Sequence, residues 1–284
     1  MNKALEVIGL NKSYGSFALQ DVSFSINTGS IMGFVGPNGA GKTTTIKSLL
    51  NLVRYNSGDI RILGKTMKPD DARSDIGVIT DSSLYADDWS ISDVERISSL
   101  FYKGWSSEGF DRLLGKFRID RNKKVSQLSK GMGVKLMMAV ALSHGAKLLI
   151  LDEPTSGIDP SDRDELCDML AAYVRDGDKS ILFSTHITAD LEKIADTVTF
   201  ILGGRIVLSE NKADMMGKYV HVKGHIEHLT DKCRGLVIGL KEQADGFTGI
   251  IESKDAPKLP GCINTAPATL DDIVVCMSRR GSHD

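Results

Sequence analysis

The chain has 284 residues, 41% of them hydrophobic and 25% charged, with a formal net charge of -2. These are the values of an ordinary soluble globular protein with room for one full domain and a smaller one. The near-neutral balance argues against nucleic acid as a partner, because phosphate-backbone binding leaves a basic excess. No segment approaches eighteen uninterrupted apolar residues, and residues 1–6 lack a signal-peptide layout. Cys167, Cys233, Cys262 and Cys276 form no C-x-x-C pair, which predicts reduced thiols in a cytoplasmic protein.

Residues 5–26 read as strand, most clearly in Val22-Ser23-Phe24-Ser25-Ile26, where apolar and polar residues alternate. Tyr14, beside Gly15, reads equally as a surface turn or as a stacking platform for a flat ring. The apolar run 31–35 then feeds Gly36-Pro37-Asn38-Gly39-Ala40-Gly41-Lys42-Thr43-Thr44. Glycines at this spacing let several backbone N–H groups gather round one anion, and a helix from about Lys42 aims its positive end at the same point. Ile46, Leu49, Leu50 and Val53 are the expected apolar face of that helix. Lys42 is placed to reach outer phosphates, and the Thr43 hydroxyl to ligate Mg2+.

Residues 60–63 form a short predicted strand, and residues 76–80 a buried one that ends at Asp81. From residue 91 to about 142 the pattern turns helical. Ser92 and Glu95 have capping-box spacing, a second helix is expected near 110–117, and a third after Gly131 buries residues 135–142. The runs 148–151, 181–183 and 198–202 are nearly continuous apolar strands, with a helix between the first two. This is the pattern of a parallel sheet in an α/β fold, with the phosphate loop at a carboxyl end.

Two strand tips carry further chemistry. Asp152 is suited to hold Mg2+, and Glu153 to act as general base or to orient water at the γ-phosphate. In Ser184-Thr185-His186 the histidine is placed to hydrogen-bond the γ-phosphate and the attacking water. Beyond residue 210 the texture changes to short strands at 219–222, 236–240 and 249–252, then a last helix. Thr269 is its expected cap, Asp271 and Asp272 lie in its first turn, and Leu270, Ile273, Val274 and Met277 form its apolar face. His221, His225, His228 and Cys233 would approach metal-ligand spacing only in a helix, and the strand-like alternation around them argues against one.

With Leu128-Ser129-Lys130-Gly131-Met132 and Ser156-Gly157-Ile158-Asp159 added to the motifs above, residues 3–210 resemble the ATP-binding-cassette ATPases in order and spacing. The resemblance implies an α/β P-loop NTPase (RecA-like) core with an antiparallel β subdomain and an inserted α-helical signature subdomain at about 82–142. Residues 1–210 would be the nucleotide-binding domain, and 211–284 a small C-terminal α/β accessory domain like the extensions of drug and peptide exporter cassettes. Tyr14 matches the adenine-stacking aromatic, residues 36–44 the phosphate loop, Asp152 the Mg2+-holding aspartate, Glu153 the catalytic glutamate and His186 the switch histidine. Ser129, Lys130, Gly131 and Met132 match the signature that completes the site of an opposite subunit, and Asp159 would lie at the same seam.

The implied protein is an ATPase subunit that uses ATP with Mg2+. It would dimerise with a second copy or a related cassette and sit on the cytoplasmic face of the plasma membrane against separate permease subunits. Export of peptides, antibiotics or similar amphipathic compounds is the implied work, and a groove near residues 81–89 would pass motion to the permease. The alternatives are a soluble cassette outside transport and an ATP-binding subunit with little turnover. Three positions depart from the family pattern. Lys130 and Met132 stand where glycine and glutamine are commonest, and Asp81 stands at the position of a Mg2+-touching glutamine.

Overall fold

The computed structural model describes residues 2–66 and 74–280. Its centre is a six-stranded sheet in the order Arg205–Asn211, Thr197–Leu202, Ile31–Val35, Ser180–Thr185, Leu148–Asp152, Ile76–Thr80. All neighbours are parallel except the first pair, a hairpin through Gly203 and Gly204. The strands at its centre are apolar along their length because helices cover both faces, and Leu148, Leu149, Ile150 and Leu151 are all buried. The register aligns the carboxyl ends. Val35 pairs with Thr185, Asp152 with Ser184, and Thr80 with Asp152. The phosphate loop, Glu153, His186 and Asp81 therefore leave the sheet along one edge.

An antiparallel sheet in the order Phe17–Asn27, Lys3–Tyr14, Ser57–Ile62, Lys65–Thr66 packs beside this core. The helix Lys42–Leu49 lies between them and buries Ile46 and Leu49. Val53 falls outside that helix. Leu50 is its C-cap, and Asn51 turns the chain with a left-handed φ of 53°.

The helices Ile91–Phe101, Ser107–Phe117 and Lys130–Ser143 enclose a separate apolar cluster built on Val94, Phe110, Leu114, Leu136 and Val140. The capping box belongs to Ser90 and Asp93, not to Ser92 and Glu95. Ser90 has the extended backbone that a cap requires, and its hydroxyl accepts from the Asp93 N–H at 3.1 Å. Ser92 is already inside the first turn, and Glu95 pairs with Arg121 at 2.6 Å. The third helix starts at Lys130, ahead of Gly131, because Ser129 caps it and accepts from the Met132 N–H at 3.3 Å.

After the helix Lys212–Lys218 comes a four-stranded antiparallel sheet in the order Ile238–Glu242, Gly246–Glu252, Tyr219–His225, Asn264–Pro267. The last helix, Leu270–Arg280, opens with a reciprocal cap. The Thr269 N–H donates to Asp272 at 3.0 Å, and the Asp272 N–H to the Thr269 hydroxyl at 3.1 Å. Its buried Leu270, Ile273, Cys276 and Met277 belong to the same apolar cluster as Leu191 and Ile194 of the central layer. Among the described residues no helix is long and apolar enough to cross a membrane.

Candidate nucleotide site

Gly36 and Gly41 are required by space. A Cβ on Gly36 would lie 2.3 Å from the Ile201 carbonyl oxygen, and one on Gly41, whose φ is 114°, would lie 2.7 Å from Leu19 Cδ2. Between them Pro37, Asn38 and Gly39 are exposed and Ala40 is buried, so the loop shows its backbone outward on a fixed base. The helix that follows buries Lys42 to 6% exposure, while Thr43 stays exposed and Thr44 half-buried. Lys42 Nζ donates to the Gly36 carbonyl at 2.7 Å and the Pro37 carbonyl at 3.3 Å, and lies 3.2 Å from Glu153 Oε1.

Asp152 faces this loop from the neighbouring strand. The Ser184 hydroxyl donates to its carboxylate at 3.1 Å, and the Thr43 hydroxyl bonds the same group. Burial pushes the Asp152 carboxyl above its ordinary range, against the lowering effect of the two hydroxyls. Glu153 takes a left-handed φ of 52°, which turns its side chain away from that of Asp152. Its Oε2 lies 2.7 Å from His186 Nδ1, a contact that places the ring proton on that nitrogen. Lys42, Thr43, Asp152, Glu153 and His186 thus converge at the carboxyl edge of the sheet. Ser184 is a member of this group that motif reading passes over, and the signal for it is the parallel register that sets it opposite Asp152.

Tyr14, 44% exposed, ends its strand opposite Phe17, and the Phe17 ring closes over Gly41. The Lys12 ammonium sits 4.4 Å from the centre of the Tyr14 ring. Ser129 and Lys130 are exposed at the start of their helix, Gly131 is buried against Asp162, and Met132 packs on the helical cluster. Among the described residues no hydrogen bond or ion pair joins residues 129–132 to residues 36–44. Asp159 is the exposed N-cap of the helix Pro160–Tyr173. Asp81 lines a groove of about 310 Å3 with Asp87, Ser126, Ser129, Lys130 and Met137.

The donor set suits Mg2+. A hydroxyl and a carboxylate are hard oxygen ligands, and Mg2+ completes its shell with substrate phosphate and water. Among the described residues no three His, Cys, Asp or Glu side chains are grouped as a metal site would require.

A parallel sheet with a phosphate loop, a strand-end Asp-Glu pair and a strand-end histidine along one edge defines a P-loop nucleotide-binding protein. The chain belongs to the ABC transporter family and is the ATP-binding subunit of such a transporter. The family model described as ABC transporter matches residues 19–156. The chain is 34% identical over 209 residues to a lantibiotic transport ATP-binding protein, SrtF, of Streptococcus pyogenes, across 72% of this chain and 90% of that one. It is 29% identical over 302 residues to a Nod factor export ATP-binding protein I of Cupriavidus pinatubonensis, across 99% and 92%. A solved ATP-binding subunit of an ABC transporter superposes with a TM-score of 0.68 at 29% identity, covering 75% of this chain and 91% of its own. Cassettes of this family hydrolyse ATP to power transport, generally with Mg2+, and work as dimers with membrane permease subunits.

Proposed function

We propose that this cassette powers export of peptides, antibiotics or similar amphipathic compounds through separate permease subunits, at the cytoplasmic face of the plasma membrane. One relative is named for Nod factor export and another for lantibiotic transport, which supports that reading. The phosphates of ATP lie on the backbone of residues 36–44, with Lys42 on the outer phosphates and Tyr14 under adenine. Thr43 and Asp152 would hold Mg2+, which would supply neutralisation of phosphate charge when bound. Glu153 takes the proton of the attacking water, and His186 fixes both Glu153 and the γ-phosphate. Ser129 and Gly131 of a second copy, with Lys130 and Met132 beside them, close the site from the other side. Asp159 lies at that seam. Asp81, just past the neighbouring strand, would add a carboxylate beside the residues that hold the metal.

The observation that carries this reading is the convergence of Lys42, Thr43, Asp152, Glu153 and His186 at one sheet edge. The test is Glu153→Gln in the full chain. ATP turnover is expected to fall about a hundredfold or more, and ATP is expected to shift the variant from monomer to dimer in size-exclusion chromatography. Unchanged turnover rejects Glu153 as the base, and no ATP-dependent dimer rejects the two-copy site.

A further inference from the structure

The short helix Thr188–Ile194 begins two residues after His186 and is held from both sides. On its inner side the Leu191 side chain fills the space over Gly33, where a Cβ would lie 2.7 Å from Leu191 Cδ1. Gly33 belongs to the strand that feeds the phosphate loop. On its outer side lies the last helix of the chain. The buried Thr188 hydroxyl donates to Asp271 Oδ1 at 3.0 Å, and the Leu270 N–H donates to Glu192 Oε1 at 2.6 Å. Between these polar contacts Leu191 and Ile194 share an apolar cluster with Leu270, Ile273 and Met277.

The chemistry of the two contacts is specific. Leu270 N–H is a donor of a helix's first turn, which has no partner within its own helix, and Glu192 supplies one. Both acceptors are carboxylates, whose hydrogen bonds are shorter and stronger than neutral ones. Two residues before this helix begins, His186 reaches Glu153 at 2.7 Å, a contact that a shift of a few tenths of an ångström would loosen.

We propose that Glu192 and Asp271 are positioning residues for ATP hydrolysis. The last helix holds the helix Thr188–Ile194 in place, and through it His186 against Glu153, so that turnover depends on the docking of the C-terminal module. This rests on the reading that His186 and Glu153 carry hydrolysis.

The experiment compares Thr188→Val, Asp271→Ala, Glu192→Ala and Glu192→Gln in the full chain, with His186→Ala as reference, by ATPase kcat, KM and thermal midpoint. Thr188→Val, Asp271→Ala and Glu192→Ala are each expected to lower kcat about three- to tenfold with KM unchanged. Glu192→Gln, whose amide oxygen still accepts from the Leu270 N–H, is expected to keep the parent kcat. His186→Ala should lose about a hundredfold or more. An inactive His186→Ala beside unchanged kcat in the other variants overturns the positioning role and leaves the hydrolysis reading standing. Equal losses in Glu192→Ala and Glu192→Gln also overturn it, since the hydrogen bond would then not be the cause. An active His186→Ala overturns the hydrolysis reading itself. Where a variant unfolds early, the Glu192→Ala and Glu192→Gln pair, compared below both midpoints, decides.

Discussion

The Lys42 ammonium lies 3.2 Å from Glu153 Oε1 while also donating to the Gly36 and Pro37 carbonyls, so its three protons are committed inside the protein. A phosphate oxygen approaching Lys42 must share or displace one of these acceptors, and the carboxylate is the one on a side chain. Nucleotide binding and release of Glu153 are therefore linked. Replacing Glu153 by Gln removes the charged competitor and leaves a weaker acceptor. A non-hydrolysable ATP analogue should bind Glu153→Gln about three- to tenfold more tightly than the parent, on the order of 1 kcal/mol for a partly buried pair. Isothermal calorimetry reads this directly, and equal affinities would show that the contact does not compete.

Asp152 carries a cost of its own. Burial raises its carboxyl above the ordinary range, so the folded chain binds this proton more readily than the unfolded chain does. Between the unfolded and folded values, stability contributed by this group falls as pH rises, and above the folded value the full cost of an ionised half-buried carboxylate is present. Asp152→Asn should therefore raise the thermal midpoint at neutral pH with no nucleotide or metal added. The gain should shrink as pH falls through the raised value and vanish below the ordinary carboxylate range. Thermal unfolding across pH 4 to 8 gives the curve, and a gain that does not change with pH would point to packing alone.

The core strands were readable because strands covered on both faces leave unbroken apolar runs, as at residues 148–151, and the phosphate loop because its geometry is local. Features that depend on register or on distant chain were not. Ser90 with Asp93 and Ser92 with Glu95 have the same spacing, and only the extended backbone at Ser90 tells them apart. Ser184 meets Asp152 across 32 positions, and Thr188 meets Asp271 across 83, separations at which no periodicity carries a signal. The end of the phosphate-loop helix was missed because Val53 continues the apolar spacing after the backbone has already turned at Asn51.

Gly131 separates a stability effect from a functional one. A Cβ there would lie 2.7 Å from Asp162 Oδ2, the end of a side chain that Lys135 holds at 2.9 Å. Alanine gains about 1 kcal/mol of helix propensity over glycine, and moving Asp162 returns part of it, while Lys135 keeps its second partner, Glu165, at 2.6 Å. Gly131→Ala should leave the thermal midpoint within about 3 °C of the parent. ATP turnover should fall about tenfold or more if this surface closes on phosphate bound to a second copy. A parent-like turnover would remove Gly131 from the seam.

Tyr14 tests the base-binding end of the site. Its ring is half in solvent at the tip of a hairpin whose Phe17 closes over Gly41, and the Lys12 ammonium already occupies one face at 4.4 Å. That leaves the opposite face for a flat base, and stacking of this kind is worth about 1 to 3 kcal/mol. The contact is made equally before and during hydrolysis, so losing it should raise KM without slowing the bound complex. Tyr14→Ala should raise KM for ATP about five- to tenfold with kcat within about twofold, and Tyr14→Phe should restore the parent value. Because pyrimidine rings stack less, the same substitution should narrow the preference for ATP over CTP. Steady-state kinetics on both nucleotides checks the two expectations together, and a drop in kcat with unchanged KM would place Tyr14 in the chemistry of the phosphate end instead.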